Sequence, residues 1–180
     1  MKTANVSVAG VAFGVIATLG TLAVVGLIVV LTGAYDVAAT SAHTAPVRWA
    51  LGTTMDNSVK SRAADIAPPA HFTPAMIIAG GGEYKAMCQG CHGGPGVKPD
   101  EWAGGMLPTP PDLIKAASDW KPKEIFWILK HGIKMSAMPA FGPTHNDAKL
   151  WTITAFAKQL PSMTPAEYAA IPVTMDHDAH

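Results

Sequence analysis

Cysteine is almost absent from this 180-residue chain: there are two, Cys88 and Cys91, three residues apart. With no second pair of cysteines, the usual four-ligand structural zinc site has too few donors. A bridge between the two would close a very small loop and stabilise little. Charge is also scarce, at 14% of residues, and 13 basic side chains balance 13 acidic ones. That leaves no basic footprint for a nucleic acid. No pair of alternating apolar and polar runs marks strands, and no βαβ pattern surrounds the cysteines, so a thioredoxin-like dithiol lacks its setting. Internal repeats are missing as well, and the length suits one domain with extensions.

The N-terminus lacks charge altogether. After Lys2, no charged residue or histidine occurs before Asp36. The run "VSVAGVAFGVIATLGTLAVVGLIVVLTGAY" is long enough to cross a bilayer as one tilted helix. A cleaved signal peptide would carry a much shorter apolar region and a clear small-residue cleavage site. Residues 1–35 are therefore expected to be an uncleaved transmembrane anchor. Gly10 and Gly14, continued by Thr18, could form a close-packing face, although small residues are common in such helices.

What the chain does have is "CQGCH", Cys88 to His92. On a helix the two thiols share one face, and His92 lies on a neighbouring side. Two thiols at this spacing with a histidine directly after them suit covalent attachment of haem c. The thiols form thioethers to the macrocycle, and the imidazole is the proximal iron ligand. Such attachment takes place on the outer face of the bacterial cytoplasmic membrane, which puts residues 36–180 in the periplasm.

A haem iron needs a sixth ligand or an open site. "KMSAMPAFGP" offers Met135 and Met138. Met138 sits in a glycine- and proline-rich loop and precedes Pro139, which keeps the backbone extended. A thioether there would favour Fe(II) and raise the potential. Met138 is the better placed, Met135 the alternative, and methionines are also common core fillers. His131 and His145 would instead give a lower-potential bis-imidazole site. His43, His71, His177 and His180 suit a solvated position, and the "MDHDAH" end is either a disordered tail or a weak metal-binding tract.

The remaining organisation is helical. Residues 36–73 are expected to be a periplasmic linker with a short helix, in which Val47, Leu51, Met55 and Val59 recur every four residues. Trp49 and Arg48 would suit a membrane interface, or that helix could pack on its own domain or a partner. "APPAHFTP" then breaks the helix as a stiff hinge. Between 74 and 168, helices are expected at "PAMIIAGGGEYKAMC", "KPKEIFWILKHG" and "NDAKLWTITAFAKQL", with an irregular glycine- and proline-rich loop after the haem motif. Pro122 suits the first turn of the middle helix, but Lys121 is a poor cap for it. Ile125, Ile128 and Leu129 are its expected inward residues. Leu150, Ile153, Phe156 and Leu160 share one face of the last helix. Residues 169–180 form a C-terminal tail.

Together, "CHGGPGV", "IFWILKHGIKMSAMPAFG" and the W-x-I-x-x-F helix resemble class I cytochromes c, specifically membrane-anchored monohaem bacterial forms. The resemblance spans about residues 75–165 and implies an all-α fold, here preceded by the anchor and the helical linker. It implies that Gly80 and Tyr84 meet Ile153 and Phe156 where the first and last helices cross. It also implies a proline carbonyl holding the proximal imidazole, from Pro108, Pro110 or Pro111. Cys88, Cys91, His92 and Met138 become the cofactor-binding residues, with His92 and Met138 on the metal. The implied role is electron transfer, with no bond chemistry of its own. Its partners would be redox proteins such as a dehydrogenase, an oxidase or other cytochromes. A haem enzyme or gas sensor with a labile distal ligand is the alternative. The strong lysine ring of many soluble members is missing. Lys121, Lys123, Lys130 and Lys134 cluster ahead of the ligand loop, as a steering patch or as a solvated face.

Overall fold

The computed structural model describes residues 7–174, and these fall into two compact units divided between Ser41 and Ala42. Among the described residues the regular structure is helical, with a single isolated bridge between Gly94 and Val97 in place of a sheet.

The first unit is one helix, α1 (Val8–Thr32), whose most apolar window has a mean hydropathy of 2.6. Ser7 caps it by accepting a hydrogen bond from the Gly10 N–H at 3.0 Å. The hydroxyls of Thr18 and Thr21 donate to the Gly14 and Ala17 carbonyls, each at 2.9 Å. Polar groups satisfied within the helix are what a hydrocarbon environment demands. The helix is therefore a candidate membrane span. Gly10 and Gly14 are exposed along it.

In the second unit, α2 (Ala45–Arg62) starts with Pro46 in its first turn and ends where the Ala63 N–H bonds the Val59 carbonyl. Next come α3 (Pro74–Met87), capped by Thr73, and the single turn α4 (Gln89–His92). A 3₁₀ turn (Glu101–Gly105) and the short α5 (Leu113–Ala116) punctuate the loop that follows. Then come α6 (Pro122–His131), α7 (Asp147–Gln159), a second 3₁₀ turn (Leu160–Ser162) and α8 (Pro165–Ala170).

The α3–α7 crossing organises the unit. A Cβ at Gly80 would lie 1.9 Å from the Thr152 carbonyl oxygen, so only glycine lets the two backbones approach this closely. Beside it Tyr84 packs on Phe156, ring centroids 5.1 Å apart, as the pattern of Gly80, Tyr84, Ile153 and Phe156 implied. Glu83 and Lys149 form a largely buried ion pair across the same crossing at 2.9 Å. Tyr84, Cys88, Phe156, Leu160 and Tyr168 make one core cluster. Phe126, Leu129, Leu150 and Ile153 make the other. Each such fully buried side chain contributes about 1.5–3 kcal/mol in transfer free energy.

Several local details differ from the sequence reading. The start of α6 is capped from inside the helix: the Glu124 carboxylate accepts from the Lys121 N–H at 2.7 Å, so the poor cap residue is bypassed. Phe126 is buried on α6, while Ile125 and Ile128 face a cavity. The helix α8 carries a buried tyrosine, and Ile171 directly after it is packed. Lys85 Nζ donates to the Ile171 carbonyl at 2.5 Å, and Ile171 packs on the first core cluster. In the linker, the second half is fastened to the body, in line with the alternative that its helix packs on its own domain. Val59 is 1% exposed and Ala63 fully buried, Ile66 joins the second cluster, and Phe72 lies 6.4 Å from Trp151. Trp49 and Leu51, nearer the start of α2, stay exposed. His177 and His180 lie outside the described residues.

Candidate functional site

The end of α3 delivers the site. Cys88 closes α3 and opens α4, its N–H bonding the Tyr84 carbonyl at 2.8 Å, and the His92 N–H bonds the Cys88 carbonyl at 2.9 Å. That one turn sets Cys88, Cys91 and His92 on the wall of a single cavity of ≈ 390 Å³, within the usual range for ligand sites. Met87, Leu113, Ile125, Ile128, Leu129 and Ile153 give it an apolar lining.

Tyrosines lock the turn from behind. The Tyr84 hydroxyl donates to the Gly93 carbonyl at 2.9 Å, and the Tyr168 hydroxyl donates to Gln89 Oε1 at 2.7 Å. Burial raises the pKa of both phenols, so they remain donors. Tyr168 was missed in the sequence, because nothing local ties it to a residue 79 positions earlier.

Both cysteines are free. Burial, with smaller contributions from Cys91 and Glu83, pushes the Cys88 thiol up to about 12. A redox dithiol needs an accessible thiolate of lowered pKa, so this environment opposes that use. Among the described residues no three His, Cys, Asp or Glu side chains gather into a metal cluster, which leaves a zinc site without donors.

His92 is half-buried, and its Nδ1 lies 2.8 Å from the Pro111 carbonyl oxygen. A carbonyl only accepts, so the proton sits on Nδ1 and the Nε2 lone pair is left for a metal. Burial lowers the His92 pKa, against the opposing pull of the Pro111 hydrogen bond, which keeps the ring neutral. Of the three candidate prolines, Pro111 is the acceptor, while Pro108 and Pro110 line the cavity.

The opposite contribution comes from the loop after α6. Gly132 takes φ 65°, and a Cβ there would meet the Met138, Pro139 and Ala140 backbone within 2.8 Å. The chain thus doubles back over the helix end. The Ile133 N–H bonds the Met138 carbonyl, the Met138 N–H bonds Ser136 Oγ, and the Phe141 N–H bonds the Leu129 carbonyl at 2.9 Å. Met138 is held on the cavity wall and packs with the second core cluster. Met135 is 90% exposed at φ 61°, outside the cavity. His131 and His145 do not line it either: His131 tilts over Trp127, and His145 meets Phe141 edge-on.

These residues fit a haem c. Two thiols, a neutral imidazole with one nitrogen anchored, and a thioether share one apolar chamber. Two of the four clustered lysines are engaged within the chain. Lys130 pairs with Asp147 at 2.7 Å, and Lys123 donates to the Ala64 carbonyl at 2.6 Å.

Residues 75–156 match the family model described as cytochrome c oxidase, cbb3-type, subunit III. No curated protein and no solved structure matches the chain. The match over residues 75–156 supports a cytochrome c domain of a haem-binding electron-transfer protein, and together with the apolar helix ahead of it this fits a membrane-anchored monohaem cytochrome c.

Proposed function

We propose that the chain carries one haem c, tied to Cys88 and Cys91, with His92 as proximal and Met138 as distal ligand. The haem supplies a one-electron change between Fe(III) and Fe(II). The protein's own residues do the rest. Pro111 orients the imidazole, the stapled loop presents Met138, and the apolar lining keeps water out. The observation that carries this reading is that Cys88, Cys91, His92 and Met138 line one apolar chamber.

The helix α1 anchors the protein in the bacterial cytoplasmic membrane, with the haem domain in the periplasm. From there it relays electrons between a dehydrogenase, an oxidase or another cytochrome. The family name concerns an oxidase subunit, which supports service within an oxidase-type complex.

The test is optical. The ferric wild-type protein is expected to show a thioether–iron charge-transfer band, lost in Met138→Ala and kept in Met135→Ala. Retention of the band in Met138→Ala would overturn the distal assignment. Ready binding of carbon monoxide to the reduced wild type would favour a gas-binding or peroxidase-like haem instead.

A further inference from the structure

The family match begins at residue 75, but the wall of the cavity does not. Met55, on α2, lines the same chamber as Cys88, Cys91, His92 and Met138. It is held there by a fastened strap. Val59, one turn on, is 1% exposed and Ala63 is fully buried. Lys60 Nζ sits 5.7 Å over the ring of Trp120, itself a lining residue. Lys123 Nζ donates to the Ala64 carbonyl at 2.6 Å, and Ile66 packs with Phe126, Leu129, Leu150 and Ile153. Phe72 closes the strap against Trp151, which stacks on Phe126 at 4.1 Å.

We propose that the segment Met55 to Phe72 is a built-in wall of the haem chamber, and that Met55 touches the haem and screens that side of it from water. The inference rests on the haem reading above. Methionine suits the task, because its unbranched apolar chain adapts to an irregular surface. The Fe(III) state carries one more positive charge than Fe(II), and water stabilises it more. A dry wall therefore raises the potential, and opening the wall lowers it. The wall also restricts the faces from which a small oxidant reaches the haem.

The experiment uses the full-length, haem-loaded protein and three variants: Met55→Ala, Met55→Leu and Leu51→Ala. Leu51 lies one turn earlier on α2, is 52% exposed and does not line the chamber. The midpoint potential and the rate of oxidation by hexacyanoferrate(III) are read for each. Met55→Ala is expected to have a lower midpoint and faster oxidation, while Met55→Leu and Leu51→Ala stay with the wild type. If Met55→Ala coincides with Leu51→Ala in both readouts, the wall role is overturned. If Met55→Leu shifts as far as Met55→Ala, the sulfur rather than the apolar bulk is needed, and the role is overturned too. Should Met55→Ala fail to accumulate, Met55→Gln keeps the bulk and adds a polar group. It is expected to lower the midpoint, and an unchanged value would overturn the proposal. A wild-type chain without haem is seen before any of these comparisons and overturns the haem reading itself.

Discussion

Met135 and Met138 differ by three positions in sequence and by everything in surroundings. The backbone decides between them: Met135 takes the left-handed φ of 61° and points to solvent, while Met138 is turned into the chamber by the doubled-back loop. Left-handed backbone is costly for a residue with a Cβ. Met135→Gly is therefore expected to raise stability by about 1 kcal/mol in thermal unfolding and to leave the haem spectrum unchanged. The buried pair of Glu83 and Lys149 works the other way. Lys149→Met removes the counter-charge of a buried carboxylate and is expected to cost about 3 kcal/mol, read from denaturant midpoints. At this scale the sequence was legible where chemistry is local. Cys88, Cys91 and His92 are adjacent, so spacing alone marked them. Pro111 was not separable from Pro108 and Pro110, since only the loop's path decides which carbonyl meets the imidazole. Glu83 and Lys149 carried no signal at all, because their pairing exists only once α3 and α7 cross.

Among the elements, that crossing is the frame on which the motif is carried. Gly80→Ala is expected to destabilise the domain by about 3 kcal/mol, because its Cβ would meet helix backbone and not a side chain that can move. Chemical unfolding of the haem-loaded protein checks this, and an unchanged midpoint would contradict the packing described. The last helix was readable because Leu150, Ile153, Phe156 and Leu160 mark one face in the chain; the structure adds the caps Thr73 on α3 and Asn146 on α7. The start of α6 was not readable, since its cap reaches back from Glu124. The short α5 and α8 offered too few turns for any periodicity. The stretch "APPAHFTP" was read as a hinge from its prolines, yet Ile66 just ahead of it and Phe72 within it each find a place on the body. Proline stiffened the chain there without freeing it.

Across the whole molecule, the division at Ser41 and Ala42 places α2 and the strap in the same unit as the cytochrome domain. A chain beginning at Ala42 is expected to leave the membrane fraction, remain soluble and hold its haem. A chain beginning at Pro74 loses the strap and is expected to hold the haem less stably, with both outcomes read by haem absorbance after fractionation. With Lys123 and Lys130 engaged internally, partner recognition has little of a lysine ring to use, so association is expected to depend only weakly on salt. The measurement that bears most directly on the account is a haem-stained denaturing gel with intact mass, run on protein made where haem c can be attached. The account predicts one haem retained per chain through denaturation, and its loss when Cys88 and Cys91 are both replaced by alanine. A wild-type chain that emerges at its bare polypeptide mass, without stain, would contradict it.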